Sequence, residues 1–325
     1  MSERSERKVI AVDLGGTHIR VGVVSESGSL DYHARVGTRP ELGPKSVIER
    51  MAAQIIETAE CARLDDSIPV GVASPGPLNP KTGTVLYTPN LPGWRDVPFV
   101  DLLHEHIGRR VYLANDGNCG ALGEIRFGNA KGVHDLIYFA LGTGVGGGVV
   151  SGGKLIDGVR GLGAEVGHMN VALDGPRCSC GSIGCLESFV AGWAIKREAE
   201  AVATTADGDR LRELAGDGEI HAGIVAAAAD EGDLAARMIL NRAGRALGAA
   251  MGALVNLFNP SMIVVGGGVA AIGEHLLAPA RETMLAHSFA DMRADVSIAY
   301  SSLGNETGIY GAAALALEES GPESR

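Results

Sequence analysis

Twice in this chain a strand runs into a glycine turn and out again as a second strand. KVIAVDL (8–14) meets Gly15-Gly16 and continues as THIRVGVVS (17–25); DLIYFAL (135–141) meets a second glycine turn and continues as GGVVSGGKLI (147–156). Short apolar runs punctuated by glycine read as strands joined in hairpins. The two copies start about 130 residues apart, and each is followed by further helix and strand patterns. A duplicated hairpin of this kind predicts two related α/β domains, each with a mixed sheet that opens on hairpins. A chain of 325 residues has room for both, at ~100–200 residues per domain.

Apolar periodicity predicts helices over 46–64, 96–108 (with Asp96 as N-cap), 233–260 (stopped by Pro260) and 305–319. Strands are expected over 68–75, 110–116 and 261–269, while 75–93 is too rich in proline and glycine for a regular element. The boundary is expected near 117–130. This gives a small α/β domain of residues 1–117 plus 308–325 and a large domain of residues 118–307.

Composition removes several classes of function. Hydrophobic residues make up 46% and charged residues 21%, which is ordinary for a folded globular chain and rules out disorder of its body. The net charge of −11 argues against nucleic acid and against an anionic membrane as partners, since both demand clustered cations. No apolar run reaches the ~20 residues of a membrane span. The charged start MSERSERK is followed by an apolar run cut short by Asp13, so no secretory segment is expected and the expected location is the cytoplasm. An odd count of five cysteines argues against a disulfide framework.

The run GTGVGGG (142–148) contains GxGxxG, but a strand follows it where a dinucleotide-binding fold needs a helix. No GxxxxGK[ST] occurs either. What remains is a glycine turn whose backbone N–H groups can form a nest for anions. Alone it reads better as no more than a tight hairpin. The first turn adds an acid, in Asp13-Leu14-Gly15-Gly16-Thr17. An aspartate at the mouth of a phosphate nest suits magnesium, bound directly or through water, and Thr17 offers its hydroxyl to a phosphate.

His168, Cys178, Cys180 and Cys185 read H-x9-C-x-C-x4-C. Three thiolates and one imidazole at this spacing are a tetrahedral zinc set, and because the protein fills every position the metal is expected to be structural. Cys61 and Cys119 are expected in the core. Asn115-Asp116-Gly117 ends a strand, where turns form and where α/β proteins also place catalytic groups. Glu165 and Glu187 could accept pairs of hydroxyl donors, or could be a solvated loop acid and a helix first-turn acid.

Paired hairpin loops facing one nucleotide are the logic of the actin-like ATPase (ribonuclease H-like) fold. The sequence resembles the ROK family of repressors and sugar kinases, and within it the bacterial glucokinase branch. The matching residues are AVDLGGTHIRVGVV (11–24), SPGP (74–77), PNLPGW (89–94), AND (114–116), GTGVGGG (142–148), EVGHM (165–169), CSCGSIGCLE (178–187), VVGGGV (264–269) and GNETGIYGAA (304–313). The family often has lysine where this chain has His18.

The resemblance implies ATP-dependent phosphorylation of glucose, with the sugar between the domains and ATP accompanied by magnesium. Asp116 is then the carboxylate that takes the hydroxyl proton. Asn90, Asn115, Asp116, Glu165, His168 and Glu187 are the expected sugar contacts. Asp13, Gly15, Gly16, Thr17, Gly142, Thr143, Gly144, Gly266, Gly267 and Gly268 are the expected nucleotide contacts, with the last three on the adenosine side. Another hexose or an N-acetylhexosamine as substrate, and polyphosphate as donor, stay open. A sugar-responsive regulator would need a helix-turn-helix domain, for which the seven residues before the opening strand leave no room. A cytosolic homodimer or homotetramer is expected.

Overall fold

The computed structural model of the protein describes residues 6–88 and 91–321. These form two compact units. The first consists of the described residues up to Gly132, Leu155–Ala164 and the residues from Ser302 onward; the second consists of Val133–Lys154 and Glu165–Ser301.

The first unit opens with β1 (Lys8–Leu14), β2 (His18–Ser25) and β3 (Leu30–Gly37), then α1 (Gly43–Cys61) and β4 (Val70–Ser74). Next come β5 (Leu78–Asn79), β6 (Thr84–Tyr87), β7 (Arg95–Val97), α2 (Phe99–Ile107), β8 (Val111–Asn115) and α3 (Asp116–Arg126). Its last helix is α11 (Thr307–Glu319). The main sheet has the order β3-β2-β1-β4-β8. β1 and β2 are antiparallel, as are β2 and β3, whereas β1, β4 and β8 run parallel.

Alternation along β1 sends its residues into two separate cores. Ile10, Val12 and Leu14 pack with Val47, Ile48, Met51 and Ile55 of α1 and with Phe99 and Leu103 of α2. Val9 and Ala11 face the other way, onto Cys119 and Leu122 of α3 and Ile309, Ala312 and Ala313 of α11. A parallel sheet covered on both faces needs apolar residues at nearly every position, and β4 is buried throughout.

The second unit contains β9 (Leu136–Leu141), β10 (Val145–Ser151), the start of the short β11 (Lys154–Leu155), α4 (Glu187–Val190), α5 (Gly192–Ala203), α6 (Asp209–Ala215) and α7 (Ala222–Asp230). It continues with α8 (Leu234–Phe258), β12 (Met262–Gly266), α9 (Glu274–His287), α10 (Ala290–Arg293) and β13 (Ser297–Tyr300). Its sheet has the order β11-β10-β9-β12-β13, with β9 and β10 antiparallel and β9, β12 and β13 parallel. This repeats the strand order of the first unit's sheet, and β10, β9, β12 and β13 repeat the sense of β2, β1, β4 and β8. α8 is capped by Asp233, whose carboxylate accepts the Ala236 N–H at 2.7 Å, and it packs on α9 where Gly244 and Gly248 meet Leu276 and Ala280.

Several local expectations are corrected. The break expected at 117/118 falls inside α3, which stays with the first unit because it packs on α11. A Cβ on Gly123 would lie 2.9 Å from the Gly311 backbone nitrogen, so the two helices touch through glycines. Asp96 is not a helix cap; it lies in β7 with φ 50°, and α2 starts after Pro98. Proline holds the residue before it extended and favours a helix start after it. The stretch 75–93, expected to be irregular, contains β5 and β6, which with β7 form a three-stranded sheet. Cys61, expected in the core, is exposed at the end of α1, whereas Cys119 is buried. β3 was not among the expected strands: it is the sheet edge, with exposed positions among LDYHARVG that break the apolar signal.

Candidate active site

In the first unit the expected residues gather at the carboxyl ends of the parallel strands, the edge where open α/β sheets place their ligands. β1 delivers Asp13 and the Gly15-Gly16-Thr17 turn. β8 delivers Asn115 and runs directly into α3, of which Asp116 is the first residue. The Asn115 Oδ1 caps that helix by accepting the Gly117 N–H at 2.9 Å, and Asp116 Oδ1 accepts the same N–H at 2.8 Å. The exposed Asp116 carboxylate is thereby aimed by its own backbone, at a helix end that favours negative charge. The buried Cys119 thiol, one turn further on, is pushed up in pKa by burial and then by the charges of Asp116 and Asp13, so the two carboxylates act on one locality. Asn90 lies outside the described residues.

Asp13 is not a bare acid at the mouth of a nest. Its Oδ2 pairs with Arg20 Nη1 at 3.3 Å, and the same guanidinium nitrogen donates to the Asn305 carbonyl at 2.7 Å. A Cβ on Gly308 would fall 2.4 Å from the Asp13 Cγ, so the first turn of α11 approaches that carboxyl where no other residue would fit. Burial raises the Asp13 pKa, Arg20 pulls it down, and Glu306 adds to the rise. Arg20 was not foreseen, yet the hairpin register contains it: with Leu14 opposite Ile19, Asp13 stands opposite Arg20. The turn itself is closed by the Gly15 N–H to the His18 carbonyl at 2.9 Å and by Thr38 Oγ1 donating to the Gly15 carbonyl at 2.6 Å. The His18 ring lies 3.0 Å from Arg35 Nη2. Lost hydration and the charges of Arg35 and Arg20 lower its pKa.

The second unit repeats the arrangement with different chemistry. The turn between β9 and β10 holds Gly142, Thr143 and Gly144, closed by the Gly142 N–H to the Gly144 carbonyl at 2.9 Å. Gly266, Gly267 and Gly268 end β12 beside it: a Cβ on Gly267 would lie 2.2 Å from the Leu141 carbonyl oxygen. Glu187 opens α4 and is buried, with its Oε2 accepting the Val145 N–H at 3.1 Å. Glu165 precedes the 3-10 turn Val166–His168. Lost hydration raises the Glu165 pKa, with His168 opposing and Glu187 adding to the rise.

His168, Cys178, Cys180 and Cys185 converge, with their ligand atoms all within 4.8 Å of one another. Backbone pairing makes the loop: Asn170 bridges Cys185, Arg177 bridges Ile183, and the Leu186 N–H bonds the Met169 carbonyl at 2.9 Å. Cys180 Sγ and Cys185 Sγ are 3.8 Å apart, and Cys178 Sγ is 3.7 Å from His168 Nδ1. A tetrahedron with Zn–S ≈ 2.3 Å and Zn–N ≈ 2.0–2.1 Å has edges of about 3.8 Å and 3.6 Å, so the donor set and its spacing fit zinc. The three thiols perturb one another's ionisation. Burial opposes ionisation of Cys180, but the Ser182 backbone and the neighbouring thiols bring it down to about 7. Burial and those same neighbours push Cys185 up to about 12 and also raise Cys178. Metal binding removes this conflict by deprotonating its ligands outright.

Arg20 and Ser179, whose hydroxyl donates to Glu187 Oε1 at 2.7 Å, are the site residues that sequence reasoning missed. Among the described residues no helix is long and apolar enough to cross a membrane.

Known proteins match along nearly the whole chain. A glucokinase of Thermotoga maritima is 38% identical over 315 residues, covering 97% of this chain and 98% of its own. Among solved structures, a ROK family glucokinase of Streptomyces griseus, in complex with glucose and AMPPNP, superposes with a TM-score of 0.81 at 35% identity, covering 96% of this chain and 99% of that one. A ROK hexokinase of Thermus thermophilus gives 0.80 at 34% identity, covering 96% and 98%. The model of the ROK family itself matches residues 9–319, and the chain belongs to that family.

Proposed function

We propose that the protein is an ATP-dependent glucokinase that transfers the γ-phosphoryl group to the 6-hydroxyl of glucose. The observation that carries this reading is Asp116, aimed from a helix N-terminus at the carboxyl edge of its sheet, in a chain that aligns end to end with a kinase solved with glucose and an ATP analogue. Asp116 accepts the hydroxyl proton as that oxygen attacks phosphorus. Asn115 and Asn90 from the first unit, and Glu165, His168 and Glu187 from the second, hydrogen-bond the remaining hydroxyls.

The amides of the 15–17 and 142–144 turns other than Gly15 and Gly142, whose N–H groups close the turns, take phosphate oxygens, and the 266–268 loop flanks the adenosine. Asp13 is the residue that would hold the ATP-bound magnesium, which would neutralise charge on the phosphates. Its pairing with Arg20 suits contact through water, since Mg²⁺ keeps several waters of its own. Zinc, bound by His168, Cys178, Cys180 and Cys185, is structural. With Nδ1 turned to the metal, the other His168 nitrogen carries its proton and is a donor for a sugar hydroxyl.

The test is coupled ADP release with a panel of hexoses and N-acetylhexosamines, and with polyphosphate in place of ATP. Glucose is expected to give the highest kcat/KM. A preference for an N-acetylhexosamine overturns the substrate, and ADP release that ignores every sugar overturns the kinase.

A further inference from the structure

Glu187 is held at both carboxylate oxygens. Oε2 accepts the Val145 N–H, which leads out of the 142–144 turn, at 3.1 Å. Oε1 accepts the Ser179 hydroxyl at 2.7 Å, with the Cys178 thiol at 3.6 Å. A Cβ on Gly144 would stand 2.8 Å from Oε2, so the carboxylate sits flush against the turn. Glu187 is buried, and a buried carboxylate without fixed donors is costly. Even with all three donors a lone pair is left, because each carboxylate oxygen has two.

Ser179 lies between Cys178 and Cys180, so its backbone follows wherever those two thiols are drawn. The Cys178 N–H is tied to the Ser182 carbonyl at 2.8 Å and the Gly181 N–H to the Cys178 carbonyl at 3.0 Å, which closes the loop around it. Its hydroxyl therefore links the Cys/His loop to the Glu187 carboxylate, at 2.7 Å against 3.6 Å for the Cys178 thiol.

We propose that Ser179 is a positioning residue: its hydroxyl orients the Glu187 carboxylate and so converts the order of the Cys/His loop into sugar affinity. This rests on Glu187 being a sugar contact. The hydroxyl has no part in the phosphoryl chemistry, and Ser179 supplies no metal ligand. Its loss therefore acts on sugar binding alone.

The experiment compares Ser179→Ala and Ser179→Thr with the metal-loaded wild type. Each is measured for KM of glucose, KM of ATP, kcat, bound zinc and thermal midpoint. Ser179→Ala is expected to raise KM for glucose about tenfold, the loss expected for one hydrogen bond to a charged group. Its kcat, KM for ATP and zinc content should stay at wild-type values. Ser179→Thr keeps the hydroxyl and is expected to restore KM for glucose. An unchanged KM in Ser179→Ala overturns the inference. A raised KM accompanied by lost zinc also overturns it, because the residue then serves the loop and not the carboxylate. A wild type that phosphorylates no hexose overturns the reading of the site itself, and that result precedes any variant.

Discussion

The two sheets of this protein are built alike and equipped differently. Each has five strands in the same order, and in each an antiparallel hairpin leads into two further strands parallel to its inner one. At the carboxyl edge of the first sheet stand charges: Asp13 against Arg20, and Asp116 at the start of α3. At the same edge of the second stand glycine turns, a buried glutamate and a Cys/His loop. The shared scaffold explains why both edges offer backbone to anions. On the function proposed above, proton removal falls to the first unit while Glu165, His168 and Glu187 of the second bind sugar, and each role can be tested alone.

The largest effect is expected at Asp116. Asp116→Asn keeps the shape and removes the base, so kcat should fall by about 10²–10⁴, while glucose and ATP still bind in calorimetry. Near-normal kcat in that variant would move proton removal elsewhere and break the division of labour.

Next in size is the metal loop of the second unit. Cys180→Ser or Cys185→Ser should abolish stoichiometric zinc and raise KM for glucose on the order of tenfold or more. Hydrogen exchange should report the damage over 165–187 and leave β1, β4 and β8 protected. Wild-type protein that is fully active without metal in elemental analysis would remove zinc from the account.

The smallest effect, and one of opposite sign for stability and activity, is expected at Asp13. Its folded pKa is raised, because burial outweighs the pull of Arg20. The fold therefore penalises the ionised form. The penalty is full above the folded pKa, is relieved as pH falls through it, and vanishes below the ordinary carboxylate range, where both states are protonated. Asp13→Asn should thus melt higher than wild type at pH 7.5, lose that advantage by pH 4, and turn over more slowly throughout. A variant that melts lower at pH 7.5 would mean that the Arg20 pair outweighs burial.

Legibility followed the range of the interactions. The hairpin, the strands of each sheet's centre and the long helix α8 are local patterns, and the structure contains them where they were expected. α3 was hidden because DGNCGALGEIR is rich in the residues of turns; it is a helix because its glycines let α11 approach. The same contact carries residues 118–132 into the first unit. β3 escaped because an edge strand keeps one face in water, and α2 began late because Pro98 decides the start of a helix that an acid appeared to cap.

The sequence by itself determined the duplicated α/β plan, the four side chains of the Cys/His cluster and the carboxylates of the candidate site. Those depend on residue type and on spacing along the chain, and both can be read without folding it. The tertiary structure alone decided what holds each carboxylate: Gly308 against Asp13, a helix N-terminus under Asp116, and Val145 with Ser179 on Glu187. Orientation and charge state come from neighbours brought together through space, and no spacing along the chain encodes them.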